Sequence, residues 1–340
     1  MNILGQQTAH HIGELSEVSS ARRAGNALSL KLGFDETQSG RLALLITEAG
    51  TNIGKHAKLG QMFIRPISCN GLNGIEVIAV DSGPGMINPS QNFEDGHSTT
   101  GTYGVGLGAI RRLAHEVDIY SEVGKGTVLL MVIWKTEAGV PTKQWQVGSM
   151  CVPLASEAVC GDSWVAVDSQ HFLTVLVADG LGHGPDAAEA SLRAVSVLEQ
   201  HSQNLPSEIL QKSHTLMKGS RGAAVAVARI DHDAAELRYT GVGNISGCIF
   251  RNRGRQHLLS HNGIVGSQMS RTKEFTYEWS HDSLLILHSD GIGTKWDINS
   301  YAGLSSRHPS VIAAVLHRDH TRVRDDSTIV VVKKAQGEWQ

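Results

Sequence analysis

Four acidic spots in the C-terminal half of the sequence have the residue types and placement for joint chemistry. They are Asp162 in CGDS, Asp179 in ADGLGHG, Asp290 in HSDGIG and the pair Asp325 and Asp326 in RDDST. Each falls at the end of an apolar run or in the turn beside one. Hard divalent cations take oxygen ligands, and carboxylates carried by a sheet from distant points of a chain can hold two such ions side by side. Gly180 leaves the backbone bare, so its carbonyl can join them. Of Asp325 and Asp326 only one should face the ions, because successive strand residues point opposite ways. His183, in the GHG turn, is either a proton donor to a leaving oxygen or an exposed turn histidine. Taken singly, each Asp-Gly is an ordinary turn signal.

A second set lies in the N-terminal half. Glu48 and Asn52, in TEAGTNIGKHA, are four apart on a helical pattern and share one face, where a carboxylate and an amide oxygen can both approach a hydrated cation. In DSGPGM, Asp81 closes a strand with Gly83 and Gly85 beyond it. An acceptor-only carboxylate there suits an exocyclic amine, and the glycines let bare backbone come close. The stretch GTYGVGLGAIRRL places Gly104, Val105, Gly106, Leu107 and Gly108 at the start of a helix, where backbone N–H groups can hold phosphate. With Ala109 it also fits the relaxed dinucleotide pattern of a nicotinamide oxidoreductase, but a dinucleotide loop leaves a buried strand directly, and polar loop precedes this one. GKGT, Gly124–Thr127, is not a Walker A loop because no glycine stands five places before Gly124.

The elements that must position these residues fall into two halves. Residues 14–33 and 36–57 read as helices, the second opened by an N-cap at Asp35 and carrying Leu42, Leu45, Ile46, Ala49 and Ile53 near one face. Met62–Ile67, Gly74–Asp81, Val117–Ser121 and Thr127–Trp134 read as strands, which makes a largely antiparallel sheet with helices. After an aperiodic Gly/Pro/Thr/Gln stretch the second half reads as strands Ser163–Val167, Leu173–Ala178, Ala223–Ile230, Glu236–Val242, Ser246–Asn252, Ser283–Ser289 and Thr328–Lys333 around two helices, Asp186–Gln200 and Pro206–Met217. The expected fold class is α+β in two domains, residues 1–136 and 148–336, joined by 137–147.

A chain of 340 residues is long enough for two cores. With 41% hydrophobic and 19% charged residues and a net charge of -3, no nucleic-acid partner is expected. Four cysteines without a C-x-x-C pair suggest reduced thiols in a cytoplasm, and no apolar run approaches the ~18–20 residues of a membrane span. No membrane partner is expected either. The seventeen histidines are scattered, without the spacing of a zinc site.

The Glu48–Asn52 helix, DSGPGM and the glycine-rich loop, in that order, resemble the GHKL ATPase family in its branch of bacterial anti-sigma-factor serine kinases, over residues ~10–135. The resemblance implies an α/β sandwich that binds ATP: Asn52 on Mg2+, Glu48 orienting or deprotonating the attacking hydroxyl, Asp81 on adenine, and Gly104, Gly106 and Gly108 on the phosphates. The four aspartate spots, with GSRGAAVAV and the Gly243-Asn244 turn, resemble metal-dependent protein phosphatases of the 2C type, in their SpoIIE-like branch, from about Gly148 to Lys334. That implies a β-sandwich flanked by helices and two Mn2+ or Mg2+ ions held by Asp162, Asp179, the Gly180 carbonyl, Asp290 and Asp325. Together they imply a partner-switching regulator that dephosphorylates a STAS-type anti-sigma-factor antagonist, while its N-terminal half phosphorylates such a partner or senses ATP. The alternative is a non-catalytic switch that grips a sigma factor or antagonist.

Overall fold

The computed structural model describes residues 7–89, 105–136, 139–169, 171–231, 233–251, 254–270 and 272–335. The chain divides into two compact units between Thr142 and Lys143, and Ser306–Val315 is counted with the N-terminal unit.

The N-terminal unit runs β1 (Thr8–Ile12), α1 (Leu15–Lys31), α2 (Glu36–Asn52), a π-helical turn (Ile53–Ala57), β2 (Gly60–Cys69), β3 (Leu72–Asp81), α3 (Val105–Leu113), β4 (Glu116–Glu122) and β5 (Gly126–Trp134). The strands form one antiparallel sheet in the order β1-β2-β3-β5-β4. α2 begins where its first residues dictate. Asp35 Oδ1 accepts from Gln38 N at 2.7 Å and Gln38 Oε1 from Asp35 N at 3.3 Å, a reciprocal box that satisfies two otherwise orphaned donors. Its apolar face, Leu42, Leu45, Ile46 and Ala49, is buried with Ile64, Val77, Met131 and Ile133 from the sheet. That packing fixes which face of α2 carries Glu48 and Asn52. On the sheet, Arg65 and Glu76 form a buried ion pair at 2.6 Å, and Glu76 also accepts from Ser310 Oγ at 2.6 Å.

The other unit holds β6 (Trp145–Val152), β7 (Asp162–Asp168), β8 (Phe172–Gly180), α4 (Pro185–Gln200), α5 (Pro206–Leu216), β9 (Ala223–Asp231), β10 (Glu236–Val242), β11 (Ser246–Arg251), β12 (Gly254–His257), β13 (Phe275–Glu278), β14 (Leu284–His288) and β15 (Ser327–Lys334). Two five-stranded sheets result, β13-β10-β9-β8-β7 and β12-β11-β14-β15-β6. α4 and α5 cover the first, burying Ala190, Ala194, Leu198, Ile209 and Leu210 against Leu176, Val225 and Val227.

Five elements escaped the sequence reading: the strands β1, β6, β12 and β13, and α6 (Pro309–His320). β1 is five residues, TAHHI, with too little alternation to register, and α6 is apolar nearly all round. β6 begins at Trp145, inside the stretch expected to join the domains.

Candidate functional site

Asp162 and Asp179 stand directly opposite each other, on the first residue of β7 and the last but one of β8. Asp290 follows β14 and Asp325 precedes β15, and these two strands are antiparallel neighbours in the other sheet. The edges of both sheets therefore deliver the four carboxylates to one place, close enough to act on one another's charge. Burial foremost, then Asp162, Asp290 and Asp325, hold the Asp179 carboxyl far above the usual carboxylate range. Asp162 is raised chiefly by burial, against which a hydrogen bond from Ser289 works, and further by Asp326 and Asp325. Asp325 is raised by burial and Asp290 and eased by His183. The donor set is all oxygen and carries more negative charge than the site can keep ionised without countercharge, which fits hard divalent cations. Among the described residues no three acidic, histidine or cysteine side chains stand close enough together to hold a metal ion; the four carboxylates are near enough to act on one another's charge.

The groups that aim these carboxylates are visible only in three dimensions. Ser289 Oγ donates to Asp162 Oδ2 at 2.6 Å and accepts from Thr328 N at 3.0 Å. Asn244 Nδ2 donates to Asp290 Oδ2 at 2.7 Å from the turn at Gly243, whose φ is 97°. Asp326 is buried and occupied by backbone: its oxygens accept from Leu154 N at 2.7 Å and Gly161 N at 2.9 Å, while its charge still raises Asp162. It ties down the loop that leads into Asp162, while Asp325 Oδ1 accepts from Asp326 N at 2.9 Å and its charge acts on Asp162 and Asp179. That loop carries Glu157, whose Oε1 lies 2.6 Å from His183 Nδ1. Gly184, at φ 77°, makes room for this pairing, since a Cβ there would stand 2.8 Å from Glu157 Oε2. Asn244 belongs to the Gly243-Asn244 turn the sequence singled out and Ser289 sits beside Asp290, whereas Glu157 carried no signal at all.

In the N-terminal unit, the first turn of α3 comes against α2. A Cβ on Gly106 would stand 3.3 Å from Asn52 Oδ1 and 3.5 Å from Glu48 Oε2, so bare backbone meets the Glu/Asn face. Asp81 Oδ1 accepts from Gly83 N at 2.8 Å and Thr127 N at 3.3 Å, which joins the DSGPGM turn to the GKGT turn. Gly85, at φ 68°, is obligatory: a Cβ would lie 2.1 Å from Glu122 O. Gly108 is buried in α3 and Leu107 packs on the core, so any phosphate contact there is a backbone one. Gly104 lies outside the described residues, and of Val105 the backbone alone is described, opening α3.

A model of the histidine kinase-like ATPase domain matches residues 13–133, and one of Stage II sporulation protein E (SpoIIE) matches residues 169–335. The serine/threonine-protein kinase RsbT of Bacillus subtilis (strain 168) is 34% identical over 118 residues, 35% of this chain and 89% of that protein. The chain belongs to the histidine kinase-like ATPase family and, C-terminally, to the SpoIIE family. Its C-terminal unit is thus a serine/threonine phosphatase domain of the SpoIIE, 2C-like type. Phosphoserine phosphatase RsbX of the same organism is 27% identical over 146 residues, 43% of this chain and 73% of RsbX. A solved structure from work on the bacterial stressosome aligns with a TM-score of 0.53 at 25% identity, covering 56% of this chain and all of that one. RsbX crystallised with magnesium aligns at 0.50 and 22% identity, over 58% of this chain and 98% of that one, which shows the fold. The ATPase match takes in the glycine run of α3, which assigns that run to the ATPase domain rather than to a dinucleotide fold.

Proposed function

We propose that this chain is a bacterial cytoplasmic signalling regulator whose C-terminal unit hydrolyses phosphoserine or phosphothreonine on a STAS-type anti-sigma-factor antagonist. The observation that carries this reading is the meeting of Asp162, Asp179, Asp290 and Asp325 at the ends of strands from two sheets. These four, with the Gly180 carbonyl, would hold two Mn2+ or Mg2+ ions, which when bound supply Lewis acidity toward the phosphoryl oxygens and a water of lowered pKa. Ser289 and Asn244 fix the directions of Asp162 and Asp290. His183, held through Nδ1 by Glu157, presents its other ring nitrogen for proton donation to the leaving seryl oxygen. None of these roles needs a protein nucleophile.

The N-terminal unit binds ATP with Mg2+ on this reading. Asn52 would hold the ion, Asp81 the adenine amine, and the backbone of Gly104, Gly106 and Gly108 the phosphates, while Glu48 orients or deprotonates an attacking hydroxyl. Kinship with RsbT supports either transfer to a partner serine or use of ATP occupancy as a signal. The test of the phosphatase reading is Mn2+-dependent phosphate release from a phosphoserine STAS protein. Wild type should release it and Asp179→Asn should not; equal release by both, or none from either, rejects the assignment.

A further inference from the structure

The chain around the carboxylates is edged with cations that the reaction itself does not use. Arg322 N donates to Gly291 O at 2.7 Å, and Thr321 bridges to Ile292, so the turn Thr321–Arg324 is stitched to the segment that leaves Asp290 and runs straight into Asp325. Arg322 and Arg324 are exposed, and neither guanidinium is in an ion pair among the described residues. Between them Val323 is 84% exposed, an apolar tip with two charged flanks. On the loop that follows Asp179, Leu181 N donates to Gly222 O at 3.0 Å, and Arg221 Nη1 stands 3.1 Å from where a Cβ on Gly182 would be. Among the described residues Arg221 pairs with Asp186 at 2.7 Å, an exposed pair of the weak kind that a better partner displaces.

We propose that the turn Thr321–Arg324, assisted by Arg221, is the docking element for the protein substrate and recognises acidic residues flanking its phosphoserine. The proposal rests on the phosphatase reading above. With two divalent cations bound the four carboxylates would be neutralised, so the guanidinium groups at the edge of the site supply the local charge that attracts an acidic segment, and they pair with its carboxylates two bonds at a time. Charges at the edge of a site act on encounter and salt dependence more than on the chemical step. Val323 adds an apolar contact that water would otherwise cover. The occupant is therefore a phosphorylated protein segment with Asp or Glu near the phosphoserine.

Three phosphoserine peptides of equal length, with acidic, alanine and lysine flanks, and p-nitrophenyl phosphate separate the ideas when tested with the full chain and Mn2+. Wild type should favour the acidic over the lysine peptide by about tenfold in kcat/KM at low salt, with the preference shrinking toward about 0.5 M salt. R322E/R324E should reverse the order through KM, leaving kcat and p-nitrophenyl phosphate turnover unchanged, and R221A should weaken the preference in the same direction. If the double variant keeps the wild-type order of peptides while p-nitrophenyl phosphate turnover is intact, the docking element is refuted and the phosphatase reading stands. If neither protein hydrolyses any of the four substrates, the phosphatase reading falls and takes the docking element with it.

Discussion

Replacing Ser289 by alanine removes the hydroxyl that donates to Asp162 Oδ2 at 2.6 Å and receives Thr328 N at 3.0 Å. Ser289 and Asp162 are buried, at 0% and 2% exposure, so no water stands ready to replace the bond. A hydrogen bond to a charged group contributes about 1.5–3 kcal/mol, and losing it makes the ionised, cation-binding form of Asp162 dearer by that amount. At about 1.4 kcal/mol per tenfold, Mn2+ affinity should fall by about 10- to 100-fold. The stranded Thr328 N–H costs a further ~1–3 kcal/mol of folding stability, visible as a lower Tm. Calorimetric Mn2+ titration below the variant's Tm, with circular dichroism to verify folding, measures both effects. Ser289→Thr, which keeps the hydroxyl, should recover most of the affinity. Mn2+ affinity within twofold of wild type in the alanine variant, with the Tm lowered as expected, would refute the claim that this bond serves the carboxylate cluster.

Glu48→Ala should abolish transfer of label from ATP to a partner protein while nucleotide binding persists, and Gly106→Val should remove binding itself, because its side chain pushes on Asn52 from 3.3 Å; a nucleotide-binding assay separates the two. Asp326→Ala strands the N–H groups of Leu154 and Gly161, so amide exchange across residues 153–161 should speed up by at least tenfold. His317 is buried and neutral, its pKa pushed down by burial to about 4. The unfolded chain takes up this proton below about pH 6.5 and the folded chain only below about 4, so stability should fall as pH drops through that window, by on the order of 3 kcal/mol. His317→Gln should remove that share of the acid loss and leave the share of His288, whose pKa burial likewise lowers to about 4, as denaturant titrations at pH 7, 5.5 and 4.5 would show.

Much of this architecture was legible in the residues because its signals are local. Asp35 to Gln38 spells its own cap, the α2 stripe announces a helix with one buried face, and Asp-Gly at the end of an apolar run marks where a strand stops. The α+β class and the antiparallel sheets follow from such runs. What stayed hidden depends on partners far apart in the chain. Asp325 and Asp326 are distinguished by two backbone N–H groups more than 160 positions away. Glu157 matters only because the tethered loop brings it to His183. α6 escaped notice because a helix buried on most sides lacks the polar face that sets the period.

The most direct test of the carboxylate cluster is anomalous scattering at the manganese edge from crystals of the protein grown with Mn2+. Two peaks should appear among Asp162, Asp179, Asp290 and Asp325, within ligand distance of their oxygens. No peak there, with manganese bound elsewhere or not at all, would contradict the account.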